Sequence, residues 1–79
     1  MNKERRKGLK TIMEQLEGLC NDLNGLLESE DECRENIPEN LCGTEWYLNS
    51  EQASANMEDA ISSVEDAIAC IKDVVEEQF

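Results

Sequence analysis

The residues best equipped for chemistry are carboxylates set on a helical repeat. Glu51, Glu58 and Glu65 stand seven apart, and Asp59, Asp66 and Asp73 form the row beside them. Glu14, Glu17, Glu28, Asp31 and Glu35 add negative charge in the first half of the chain. Rails of carboxylates on a rigid rod imitate a phosphate backbone and suit a cationic channel on a partner. The same rails also serve as the solvated outer surface that keeps a coiled coil soluble. Both readings stand at this stage.

Other chemistry is poorly supplied. The chain has no His, which removes the commonest general base and the commonest neutral metal ligand. Cys20, Cys33, Cys42 and Cys70 contain no C-x-x-C pair, so a zinc site is not indicated. They read as reduced thiols, although Cys33 and Cys42 flank the central turn and stand close enough in sequence to pair. Residues 28–39 are acidic but lack the glycine and alternating ligands of a calcium loop. Di-iron bundles need Glu-x-x-His pairs, and a Cys nucleophile would lack its imidazole base. The expectation is a non-enzymatic protein with no catalytic residues, no metal and no cofactor.

Charge narrows the partners. With 19 Asp and Glu against 7 Lys and Arg, the 79-residue chain carries a net charge of −12. Lys3, Arg5, Arg6, Lys7 and Lys10 gather at the start, and beyond them only Arg34 and Lys72 are positive. A polyanion of this kind disfavours direct nucleic-acid binding and favours a protein with a basic surface. No apolar run is long enough to span a membrane, and no signal-peptide core follows the charged start. The chain reads as cytoplasmic.

The elements that position these residues follow from a heptad on each side of Pro38. Leu9, Ile12, Leu16, Leu19, Leu23 and Leu26 alternate in steps of three and four, as do Ala53, Met57, Ala60, Val64, Ala67, Ile71 and Val74. This predicts an all-α, antiparallel, coiled-coil-like hairpin in one domain, residues 1–79. The first helix is predicted over about 3–34, a tip over 35–49, and the second helix over about 50–77. Alanines facing leucines predict a close seam. Glu30 and Arg34 read as an ion pair one turn apart where the seam opens to solvent.

At the tip, Pro38 breaks the first helix and starts one short turn through Leu41. Asn49 or Ser50 is the expected cap of the second helix, with Gln52 closing a capping box. Ile37, Leu41, Trp46, Tyr47 and Leu48 read as a plug over the hairpin end. Trp46 and Tyr47 are alternatively anchors for a partner.

A third apolar row accompanies each seam: Met13, Cys20 and Leu27 on one helix, Ile61, Ile68 and Val75 on the other. A two-stranded seam needs about two apolar positions in seven and a bundle about three. These six residues are the expected oligomer interface, giving a four-helix bundle as a homodimer. The basic start is expected to pair with Glu76 and Glu77 at the hairpin's open end, or to touch an anion.

The chain also resembles the small acidic helical-hairpin proteins of uncharacterised function found in phages and prophages of Gram-positive bacteria. The resemblance rests on Met1 to Lys7 (MNKERRK), on Asn36-Ile37-Pro38-Glu39-Asn40-Leu41, on Gly43-Thr44-Glu45 and on Tyr47. It continues in Met57-Glu58-Asp59-Ala60-Ile61 and Val64-Glu65-Asp66-Ala67-Ile68. It implies a phage context and supplies no site residues. Together these features predict a phage-type protein-binding module, in its sharper form an acidic inhibitor of a host nucleic-acid-handling or defence protein. The alternatives are an oligomeric sponge for a nucleotide signal, using Lys3 to Lys10, and a structural or assembly accessory.

Overall fold

In the computed structural model, residues 1–76 are described. They form helix α1 (Lys3–Glu35), a short 3₁₀ turn (Glu39–Leu41) and helix α2 (Glu45–Glu76). There is no strand among the described residues. The two helices lie antiparallel and pack along their length into a rod of 60 × 14 × 13 Å.

Local chemistry sets each helix end. Asn2 caps α1, its side-chain oxygen accepting from the Arg5 amide at 2.8 Å. Pro38 ends the helical path and opens the 3₁₀ turn, whose last amides bond back to Pro38 O and Glu39 O. The cap of α2 is Thr44, not Asn49 or Ser50. Its hydroxyl accepts from the Tyr47 amide at 3.3 Å while donating to Leu41 O at 2.8 Å. The second helix therefore begins five residues earlier than the capping-box pattern implied. Trp46, Tyr47 and Leu48 are helical, and the expected plug does not form. Ile37 and Tyr47 turn inward, whereas Leu41, Trp46 and Leu48 stay exposed.

The seam runs on a different register from the one read in the sequence. The inward residues of α1 are Arg6, Leu9, Met13, Leu16, Cys20, Leu23, Leu27, Glu30 and Arg34, with Asp31 half-buried beside them. Those of α2 are Tyr47, Ser50, Ser54, Met57, Ile61, Val64, Ile68, Ile71 and Val75, with Ala53 and Val74, expected inside, half-buried at its margin. With the seam written as heptad positions a and d, the d rows were anticipated and the a rows were not. Met13, Cys20, Leu27, Ile61, Ile68 and Val75, expected at an interface between copies, lie in the seam of a single chain. Ile12, Leu19, Leu26, Ala60 and Ala67, expected inside, are exposed. The physical reason lies mainly on α2. Turning Ile61 and Ile68 inward in place of Ala60 and Ala67 removes far more apolar surface from water, at about 25 cal/mol per Å². Cys20 and Ile61, at 8 % and 6 % exposure, are the buried apolar residues of this seam.

Candidate functional site

Near the tip the seam changes character. Ser50 and Ser54 are both buried, and Arg34 reaches across from α1 to meet them. Its Nη1 donates to the Ser50 carbonyl at 3.1 Å, to Ser50 Oγ at 3.2 Å and to Ser54 Oγ at 2.8 Å. Its Nη2 donates to Asp31 Oδ1 at 2.7 Å. Ser54 Oγ donates to the same carboxylate oxygen at 2.7 Å, and Ser50 Oγ donates to Glu30 Oε1 at 2.9 Å. Asp31, not Glu30, is thus the partner of Arg34, and the seam closes here on a satisfied polar layer instead of opening to water.

This layer tunes its own charges. The Ser54 hydroxyl, then the Arg34 guanidinium, hold the Asp31 carboxyl below its usual range against a smaller opposing cost of desolvation. Asp31 in turn holds Arg34 firmly protonated. Desolvation chiefly pushes the Tyr47 phenol up, with Cys42 and Glu51 adding to it. A Ser hydroxyl on a carboxylate looks like a nucleophile and its base. Here the carboxylate is a weak base, engaged by a guanidinium, and both hydroxyls are buried, so the arrangement suits positioning. Arg34 and Ser54 meet in one register of the hairpin, and a slip by one heptad would bury a guanidinium against Ile61. Sequence reasoning missed Ser50, Ser54 and Asp31. Continuing the heptad upward from Met57 and Ile61 lands on Ser54 and Ser50, opposite Arg34 and Glu30, and that phase was the available signal.

The outer rows divide into two unlike edges. In an antiparallel pair the g rows flank one side of the seam and the e rows the other. The e edge carries Glu17 and Asp31 from α1 with Glu51, Glu58 and Glu65 from α2, and Asp59, Asp66 and Asp73 follow on the back of α2. All six predicted carboxylates of α2 are exposed. Among the described residues the ion pairs are Arg34–Asp31 and Lys72–Glu76, so these six lack a cationic partner within 4.0 Å. The g edge carries Ile12, Leu19, Leu26 and Cys33 from α1, with Trp46, Ala53, Ala60, Ala67 and Val74 from α2. Leu19 and Leu26 are 58 % and 62 % exposed.

The two ends also differ. Trp46 is 54 % exposed and lines a groove of about 450 Å³ with Asn36, Ile37, Pro38, Leu41 and Thr44. Tyr47, its predicted companion as an anchor, is half-buried in the seam. At the open end Lys3, Arg6, Lys7, Lys10 and Val75 line a groove of about 420 Å³. Glu76 pairs with Lys72 at 4.0 Å on its own helix and not with the basic start; Glu77 lies outside the described residues. Arg6 Nε and Nη2 are buried without a hydrogen-bond partner among the described residues.

The four thiols are free: Cys20 buried, Cys42 half-buried, Cys33 and Cys70 exposed. Among the described residues no cluster of three or more Cys, Asp or Glu could hold a metal, and no helix is long and apolar enough to cross a membrane. No protein-family model matches the chain, and neither the curated proteins nor the solved structures contain a match to it.

Proposed function

We propose that this chain is a non-enzymatic protein-binding module of phage type, working as a homodimeric four-helix bundle and engaging a basic surface on a partner protein. The observation that carries this reading is the set of exposed, unpaired carboxylates along one rigid helix. Glu51, Glu58 and Glu65 with Asp59, Asp66 and Asp73 supply two charges per heptad. That is a charge about every 5 Å of helix axis, against one phosphate per about 3.4 Å along a single DNA strand. A cationic channel built for a phosphate backbone is a fitting receptor, so the sharper form is an inhibitor of a host nucleic-acid-handling or defence protein in the bacterial cytoplasm.

Reversing the charges of Glu58, Asp59, Glu65 and Asp66 to Lys tests this reading. The wild-type rod should retain a basic host protein at low salt, release it at high salt, and be displaced by duplex DNA. The reversed rod should lose that capture, and binding that survives the reversal would sink the mimicry.

A second reading has one specific support, the basic groove at the open end, where Arg6 Nε and Nη2 have no hydrogen-bond partner among the described residues. A sponge for a nucleotide signal would use it. Cyclic nucleotides should then raise the melting temperature, which a protein-binding module would not show.

A further inference from the structure

The g edge of the hairpin is apolar and bordered by rows that carry a single charge, Asp22. Beside Ile12, Leu19 and Leu26 the next outward row of α1 is Gly8, Gln15, Asp22 and Ser29; beside the alanines of α2 it is Asn49, Asn56, Ser63 and Cys70. Across both helices these four rows carry charge only at Arg5 and Asp22. In a chain of net charge −12 such a stretch is conspicuous, because charge is depleted at the centres of protein interfaces.

We infer that this edge is where a second copy of the chain packs, with the tips of the two hairpins at opposite ends. The assignment rests on the dimer proposed above and moves its interface from Met13, Cys20, Leu27, Ile61, Ile68 and Val75 to Ile12, Leu19, Leu26, Ala53, Ala60 and Ala67.

Three observations select a second copy. The first is area. A folded monomer of this mass exposes about 4,900 Å², and this chain exposes 6011 Å². The excess of about 1,100 Å² exceeds the roughly 800 Å² that each partner gives up in an ordinary stable complex. The second is charge. Two copies repel wherever their carboxylate rails meet, and the g edge is the long face on which they can touch without that cost. The third is the charge around the rod's two ends, off the edge itself. One end carries the cationic first turns, Lys3 to Lys10, whose five cations outnumber Glu4, Asp73 and Glu76 there; the other carries Glu28, Glu32, Glu35, Glu39 and Glu45 around the tip. Opposite tips lay each copy's cations beside the other's acids, whereas tips at the same end would stack like on like. A two-fold axis near Leu19 then sets Ile12 across from Leu26 of the second copy. The first turn of one hairpin arrives at the tip groove of the other, beside Trp46.

Analytical ultracentrifugation of the purified chain over a concentration series reads the dimer without any partner. The wild type should sediment at twice the 9.0 kDa chain mass. L19E/L26E should weaken self-association at least a hundredfold, while N21E, which adds charge on the opposite face, should leave it unchanged. A wild type that stays monomeric overturns the dimer itself. A dimer that persists in L19E/L26E overturns this face while leaving a dimer standing. Because L19E/L26E could unfold, L19C supplies an independent reading in a background where Cys33, Cys42 and Cys70 are serine. Mild oxidation should trap L19C as a covalent dimer far faster than I12C, which has no symmetry mate nearby. Equal or absent trapping overturns the opposite-tip arrangement. None of these outcomes depends on whether the acidic rails bind a partner.

Discussion

The middle of the seam and its tip end are built from different materials. At the middle, Cys20 and Ile61 are buried among half-exposed aliphatic side chains, held by the removal of apolar surface from water. At the tip end, Ser50 and Ser54 are buried just as deeply, yet they are held by directed bonds to Arg34, Asp31 and Glu30. Aliphatic rows repeat every seven residues and accept a slip of one heptad with modest loss. A guanidinium that needs two hydroxyls and a carboxylate at set distances does not. The middle therefore supplies cohesion and the tip end supplies register, a division in which polar layers trade stability for specificity.

Substitutions can break that division in order of effect. Ile61→Ala should be the most damaging, lowering unfolding free energy by about 3 kcal/mol through a cavity in a seam with few other dry contacts. Chemical denaturation at fixed protein concentration reads it, and a loss below about 1 kcal/mol would mean that the middle is not where cohesion resides. Ser54→Ala should cost less, about 1–2 kcal/mol, by leaving Arg34 and Asp31 short of a bond. Its distinguishing sign is heterogeneity. Cross-links or paired spin labels on α1 and α2 should report a second register in S54A but a single one in I61A. One register in both would deny the layer its role.

The smallest effect is a pH dependence. Asp31 titrates lower when folded than when unfolded, so between the two values the unfolded chain binds more protons. The stability it contributes is present above the ordinary carboxylate pKa, about 3.9, and is lost as pH falls through the folded value. The other carboxylates are shared by the wild type and Asp31→Asn, so their difference isolates this group. That difference should be largest at neutral pH and shrink below about pH 4. A pH-independent difference would show that the carboxylate's charge is not what Arg34 and Ser54 engage.

Much of the architecture was legible from the residues. Pro38 located the turn, the d rows Leu9, Leu16, Leu23 and Met57, Val64, Ile71 lay where the heptad put them, and the carboxylate rails emerged exposed. The start of α2 was misread because Thr44 caps it through a hydroxyl that also closes the preceding turn. Nothing in Gly43-Thr44-Glu45 competes visibly with the capping-box pattern at Asn49 and Gln52. The polar layer was misread for a related reason: Glu30 and Arg34 have helix-pair spacing, but Arg34 pairs with Asp31, and the serines that bind Glu30, Asp31 and Arg34 lie sixteen to twenty-three residues away on the other helix.

What the sequence determined alone is therefore periodic and local: two long helices, a break at Pro38, a d row on each and a surplus of negative charge. A helix with three adjacent apolar rows has two equally regular seams, one on each side of d. Periodicity cannot choose between them, since both repeat every seven residues. The choice came from pairing the helices. Ile61 and Ile68 bury more apolar surface than Ala60 and Ala67, and Arg34 finds Ser50 and Ser54 only when the a rows face each other. Only the tertiary structure could turn Leu19 and Leu26 outward and leave one edge of the rod bare.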